Sequence, residues 1–249
     1  MPFLTAVIIT LNEERNIKRC LDSLKDVADE IIVIDSGSTD QTKLICESAG
    51  TRFIYKAWEG YSQSRNYGTE KATNDWVLAL DADESLSDEL KKSITSLKNN
   101  NEPVFASVKR LTNYCGHWVK YCGWYPDIKL RLYDRRKAKF NGMIHETLVP
   151  VPAVIVLLQG DLLHYSYYSI EEHVDQYNKF TTLTAQDAFN NGLRSSIVKI
   201  VANPALKFIK SYFLQLGFLD GYYGFIICKM SAHATFVKYC KLYILGKRI

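Results

Sequence analysis

The stretch VLALDADESL (Val77–Leu86) decides how the first half of the chain folds. An apolar run ends abruptly in Asp81, Asp83 and Glu84, three carboxylates within four positions. The run reads as a buried strand, and Asp81 and Asp83, two apart, leave an extended chain on the same face. Taken alone, the pattern admits three chemistries. It fits the acidic start of a helix, with Ser85 and Asp88 at capping-box spacing. It nearly fits a phosphatase motif in which the first Asp attacks phosphate. It also fits half of a Mg²⁺ or Mn²⁺ site, since these ions take hard oxygen donors and let substrate phosphates complete their shell.

The neighbouring segments narrow the choice. FLTAVIIT (3–10), EIIVID (30–35), TRFIYK (51–56) and DWVLAL (75–80) read as strands. Between them, NEERNIKRCLDSL (12–24), STDQTKLICESAG (38–50) and SQSRNYGTEKA (62–72) read as helices, and SDELKKSITSLK (87–98) follows as another. The first of these helices should carry acids in its first turn, and the second should be capped by Ser38 or Thr39. Strand–helix alternation of this length predicts an α/β fold, a mostly parallel sheet with helices on both faces. Ligands of such sheets lie outside the carboxyl ends of the strands. Three polar clusters sit there: Thr10 to Glu13, Asp35 to Asp40 and Asp81 to Glu84.

Two nucleotide-binding devices are missing. The position after the first strand holds TLNEER rather than GxGxxG, and no Walker A loop occurs. In DSGSTDQT (35–42), Asp35 can accept hydrogen bonds from a ribose or base, and the small Ser36, Gly37 and Ser38 allow close approach to the backbone. Capping chemistry accounts for Ser38 to Asp40 but gives Asp35 no role. The phosphatase reading needs its motif on the first core strand, whereas here three strand–helix units precede it.

Together VIITLNEERNI (7–17), EIIVIDSGSTDQT (30–42), SQSRNYG (62–68) and WVLALDADE (76–84) resemble family 2 glycosyltransferases with the GT-A fold, across about residues 4–110. GMIHETL (142–148), HYSY (164–167) and KFIKSYFLQLGFLDGYYGF (207–225) are similar to a bacterial subgroup containing lipopolysaccharide-core β-glucosyltransferases. The resemblance implies that Thr10, Asn12, Glu13, Asp35 and Ser36 hold the nucleotide, with Arg65 in the crevice. It implies that Asp83 binds a divalent cation, Mg²⁺ or Mn²⁺, bridging the diphosphate of a UDP-sugar, and that Asp81 lies near the ribose or a metal-bound water. An inverting displacement needs a base; Glu146 is the first choice and Asp127 the second. His164 is a further candidate toward the metal, its alternative being a buried structural histidine. The QxxRW motif of the family's processive synthases is absent.

Composition sets the remaining bounds. The chain has 249 residues, 47% hydrophobic and 23% charged, enough for a sizeable core. Its six cysteines form no CxxC pair, which reads as reduced thiols rather than a disulfide or zinc framework. Neither a signal peptide nor a bilayer-spanning run is apparent, so a cytoplasmic protein is expected, peripheral at most on the inner membrane. The net charge of +4 is unevenly spread: from Arg194 onward nine basic residues face one acid, Asp220. Interleaved lysines and aromatics there fit an anionic membrane surface, or aromatics packed against the catalytic domain with the lysines solvated; no nucleic-acid module accompanies them. The domains expected are a catalytic region over 1–190 and a basic aromatic helical region over 191–249. The catalytic region divides into a donor half over about 1–110 and an acceptor half over about 111–190. The function expected is transfer of a sugar, glucose first, to a membrane-associated glycoconjugate. A non-catalytic nucleotide-sugar or membrane binder is the alternative, with the phosphatase behind it.

Overall fold

β1 (Leu4–Thr10) is buried at every position, and its neighbours explain why. It lies between two parallel partners, β2 (Glu30–Asp35) and β4 (Trp76–Asp81), and β3 (Arg52–Tyr55) extends the parallel set on the far side of β2. A strand covered on both faces has to be apolar throughout. Leu4, Ala6 and Ile8 enter one core cluster with α1 (Ile17–Leu24) and α4 (Asp88–Asn99). Val7 and Ile9 enter the opposite cluster, against α3 (Tyr61–Lys71). Helix α2 (Thr42–Ser48) contributes Cys46 to the first cluster. Helices therefore cover both faces of this sheet, as expected.

The computed structural model describes residues 3–99, 105–142, 147–149 and 154–247. Beyond β4 the sheet changes character. The strands β5 (Glu84–Leu86), β6 (Phe105–Tyr114), β7 (His117–Val119), β8 (Asp127–Asp134) and β11 (Ile155–Tyr167) give the order β3-β2-β1-β4-β8-β6-β11-β5, with β7 on β6. The β4–β8, β6–β8 and β5–β11 pairs are antiparallel. The sheet is thus mixed, parallel in its first half only. β9 (Lys139–Asn141) and β10 (Thr147–Val149) form a separate antiparallel pair.

Register sets the site. Thr10 pairs with Asp35 across β1–β2, and Ile9 with Asp81 across β1–β4, so the three strand ends finish level. Helix α3 lies close to the sheet because Gly68 has no side chain: a Cβ there would come within 2.4 Å of Val7 Cγ1. That approach carries Arg65, one turn earlier, over the end of β4.

Several helix starts differ from the sequence expectation. α1 begins at Ile17, so Glu13 and Glu14 lie in the preceding turn and not in its first turn. α2 begins at Thr42 without a side-chain cap, because Ser38 and Thr39 are used in the loop. Ser85 starts no helix; Glu84–Leu86 form β5, and Ser87 Oγ instead accepts the Leu90 N–H at the start of α4.

The chain divides into two compact units, Met1–Arg110 with Asp127–Tyr165, and Leu111–Pro126 with Ser166–Ile249. The second contains α5 (Ile170–Asn190), α6 (Ile197–Ile209) and α7 (Gly221–Lys247). Its core joins Tyr114, Val119 and Cys122 to Ile227 and Cys228, with Phe208, Tyr212 and Tyr223 packed against them. Ala185 and Ala188 of α5 meet Leu242 of α7. Lys241 Nζ reinforces that pairing, donating to Asn178 O at 2.8 Å and Thr182 Oγ1 at 2.7 Å. Asp220 accepts the backbone N–H groups of Lys120 and Tyr121 at 3.2 and 2.8 Å. Among the described residues no helix is long and apolar enough to cross a membrane.

His173 sits among Tyr114, Trp124 and Tyr167, its Nδ1 3.0 Å from the Tyr114 hydroxyl. Burial lowers its pKa from 6.5 to about 4. Below pH 6.5 the unfolded chain takes a proton that the folded one refuses until about pH 4, so this group's contribution to stability falls as pH falls through that window. Thermal unfolding at pH 7.5 and 5 should show a smaller loss in a His173→Phe variant than in the wild type, whatever its absolute midpoint.

Candidate active site

The first carboxylate of the DxD pair is held by arginines. Arg65 donates to Asp81 Oδ1 at 2.6 Å and Arg131 to Oδ2 at 3.0 Å. Both guanidinium groups are deeply buried, so Arg65 is not a surface residue of its helix. The placement follows from strand periodicity. Val77, Ala79 and Asp81 share one face of β4, Arg131 and Tyr133 share the same side of β8, and α3 packs over it. Burial alone would raise the Asp81 pKa, but Arg65 and Arg131 outweigh it and hold the carboxyl well below the usual range.

Glu84 is the buried centre of the cluster, 0% exposed. Its Oε2 accepts the Asp81 N–H at 3.0 Å, and its Oε1 receives Arg131 at 2.6 Å and Arg110 at 3.4 Å. Arg110 continues to Asp127, donating from two nitrogens at 2.9 and 2.6 Å, and Lys129 sits 3.0 Å from the other Asp127 oxygen. An unbroken chain of opposite charges therefore runs Arg65–Asp81–Arg131–Glu84–Arg110–Asp127. Burial acts to raise the Asp127 pKa, but Arg110 and Lys129 lower it. Asp127 is consequently a weak proton acceptor.

Asp83 differs from its neighbour. It lies in the turn between β4 and β5, pinned by its carbonyl accepting the Tyr165 N–H at 2.9 Å. Its Oδ2 is 3.1 Å from His164 Nε2, while Oδ1 is buried with no hydrogen-bond partner among the described residues. His164 reaches it because β11 pairs His164 opposite Glu84. Burial disfavours charge on His164, yet Asp83 outweighs that and raises its pKa. No group of three or more metal-ligating side chains is preassembled among the described residues. The donors present are an open carboxylate oxygen and an imidazole, which fits a cation completed by a diphosphate and water.

The loops beside them are tied together. Asn12 adopts a left-handed φ of 54°, which Asn tolerates well. Its N–H donates to Ser38 Oγ and its Oδ1 accepts the Thr39 N–H, both at 2.8 Å. Asp35 accepts the Gly37 and Ser38 N–H groups at 2.8 and 2.9 Å, and the Ser38 hydroxyl donates to its other oxygen. Asp35 thus has the structural role that the sequence left open, bracing its own loop. The Ser36 N–H donates to Thr10 O, and the Thr10 hydroxyl is buried with no partner among the described residues. Glu13 accepts from Asn16 Nδ2 at 2.8 Å; burial first, then the nearby Asp83, raises its pKa to about 7. Glu146, with His145 beside it, lies outside the described residues.

Sequence reasoning missed Glu84, Arg131 and Arg110. Only Arg131 left a signal, since alternation in IKLRLYD places it on the face of Tyr133, which is 1% exposed.

With this geometry in view, the comparisons with known proteins fix the class. The model for glycosyl transferase family 2 matches residues 5–147. An uncharacterized glycosyltransferase of Rickettsia typhi is 33% identical, over 97% of this chain and 87% of its own. The lipopolysaccharide core biosynthesis glycosyltransferase LpsC of Rhizobium meliloti is 32% identical, over 96% and 92%. The chain belongs to glycosyl transferase family 2, and its α/β sheet is the GT-A fold of that family. A solved glucosyl-3-phosphoglycerate synthase from Mycobacterium tuberculosis, complexed with Mn²⁺, UDP-glucose and phosphoglyceric acid, is similar in part. It is 23% identical with a TM-score of 0.38, over 45% of this chain and 44% of that one. The phosphatase alternative ends with the family, and Asp81, clamped between two arginines, is poorly disposed to attack phosphorus.

Removing Arg131 leaves the buried Glu84 with only the longer Arg110 contact among its arginines and Asp81 with Arg65. Breaking a buried pair in this way costs about 3–5 kcal/mol. Denaturant unfolding of Arg131→Ala should show a loss of that order, and Lys129→Ala, at the half-exposed end of the chain, should show almost none.

Proposed function

We propose that the protein is an inverting, metal-dependent glycosyltransferase that moves a sugar from a UDP-sugar to a membrane-associated glycoconjugate. Glucose is the first candidate sugar and a lipopolysaccharide core the first candidate acceptor. The observation that carries the reading is Asp83: a buried carboxylate oxygen with no hydrogen-bond partner among the described residues, at the level strand ends, beside an imidazole. The name of the LpsC relative supports the acceptor class.

In this reading Asp83 and His164 hold Mg²⁺ or Mn²⁺. When bound, the cation supplies Lewis-acid stabilisation of the charge that develops on the departing diphosphate. Thr10, Asn12, Glu13, Asp35 and Ser36 form the nucleotide wall. Asp35 acts by shaping the loop in addition to any contact of its own. Asp81 fixes the turn through Arg65 and Arg131 and presents the ribose side. Glu146 takes the proton of the acceptor hydroxyl, a role for which Asp127 is less suited because Arg110 and Lys129 lower its basicity. The donor half occupies about 1–110 and the acceptor half about 111–190. The basic stretch 191–249 provides peripheral contact with an anionic membrane on its cytoplasmic face.

Asp83→Ala should abolish transfer and remove the Mn²⁺-dependent thermal shift by UDP-sugars, while keeping the wild-type unfolding midpoint without ligands. Full turnover in that variant would end the assignment. Glu146→Gln should bind donor normally and lose turnover by about 10²–10⁴-fold, the usual worth of a positioned base. Unchanged turnover would move the role elsewhere.

A further inference from the structure

Helix α6 exposes most of its large aliphatic side chains. None of its thirteen residues is buried, and its large aliphatic side chains face solvent: Val198 is 73% exposed, Val201 67% and Leu206 61%. Its half-buried positions are Ile200, Ala202, Asn203, Pro204 and Phe208, of which Phe208 packs against the core of the second unit. The exposed stripe continues through Ile209 and Phe213 to Leu214, itself 75% exposed. Isolated exposed apolar residues need no explanation, but a contiguous run of this kind marks a surface that something covers.

The charges around the stripe indicate what covers it. Lys199, Lys207 and Lys210 are exposed on the same segment. Between Arg194 and Asp220 there is no acidic residue, and Asp220 is buried, accepting backbone N–H groups. The segment therefore offers exposed apolar side chains and lysines with no acidic residue of its own. A face built for a protein partner would carry a polar rim of both signs, whereas an anionic lipid surface asks for this combination.

We propose that α6 and the turn after it, Ile197 to Leu214, form a lipid-inserting element that enters the headgroup–acyl boundary of an anionic bilayer, with its lysines on the phosphates. The aromatics do not form the contact as a set. Phe208, Tyr212 and Tyr223 pack inward, against the buried Ile227 and Cys228 of α7. This deepens the membrane contact in the proposed function, and it requires neither the metal nor the sugar donor.

The test is flotation of the full chain with phosphatidylcholine vesicles with and without phosphatidylglycerol. Wild type should float with the anionic vesicles and keep part of its binding when salt is raised, because insertion is not screened. The double substitution Val198→Asp and Val201→Asp should weaken binding at least about tenfold, since each loses an apolar side chain's transfer energy. Its unfolding midpoint should be unchanged, as neither side chain is buried. Leu44→Asp, an exposed apolar position on α2, should bind as wild type. Wild type that never floats, or a double variant that floats equally well, overturns the proposal. So does a wild-type dimer that the double variant dissociates without either protein floating, which would assign the face to a second copy. Hydrolysis of UDP-glucose with Mn²⁺, measured without vesicles, separates the readings. Its failure with flotation intact overturns UDP-glucose as the donor and leaves the lipid surface standing.

Discussion

Three carboxylates at one strand end repel one another, and the buried arginines are what make the arrangement stable. Asp81 and Glu84 lie at the junction of β4 and β5, where two desolvated carboxylates without partners would push each other apart and distort the turn. Arg65, Arg131 and Arg110 prevent this, and they come from α3, β8 and β6. Each belongs to a different part of the first unit, so the ion chain ties the parallel half of the sheet to its antiparallel half. Such a network adds little net stability over an apolar core, because the charges lose their water. What it supplies is position: the Glu84 carboxylate receives the Asp81 N–H and so fixes the turn that presents Asp83.

The network also separates two residues that look equivalent. Asp81 has both oxygens occupied by guanidinium groups, whereas Asp83 keeps one buried oxygen without a partner among the described residues. A divalent cation entering here would meet one free carboxylate rather than two. It would draw its remaining ligands from the histidine, the substrate and water. The strand end therefore divides into a neutralised half that holds shape and an open half that can bind. Glu13, with its pKa raised toward neutrality, feels the same concentration of negative charge, which a cation would relieve.

The strands were legible because their residues carry local information. Runs such as VIIT and IIVI have to be buried on both faces, and the polar residues at their ends then fall on one edge by topology alone. Helix starts were less legible. Ser38, Thr39 and Ser85 are all good caps in isolation, yet tertiary partners claim Ser38 and Thr39, and Ser85 is taken up by β5. Glu84 was hidden for the same reason. A carboxylate next to a DxD pair looks like helix-start chemistry until two arginines, 26 and 47 positions away, come to meet it. Arg65 carried a usable signal only through the motif that contains it. Long-range ion pairing has no sequence period, so physical reading of one chain finds the strand that bears such a residue and not its partner.

The second unit follows a different rule. In the first, apolar side chains face the core and charge concentrates at a functional edge. On α6 the rule is relaxed: Phe208 packs inward and Ile200 is half-buried, but Val198, Val201 and Leu206 lie exposed beside the lysines. Reading the tail from composition alone groups its aromatics with its lysines. The structure sorts them, because Tyr212, Tyr223 and Phe208 complete a core with Cys122 and Ile227. The residues left outside are those that gain most from leaving water and have nothing in the chain to leave it for. For an enzyme whose acceptor is lipid-borne, such a surface has kinetic value. Holding enzyme and acceptor in the same plane raises the effective concentration of each for the other, without a single added contact at the site.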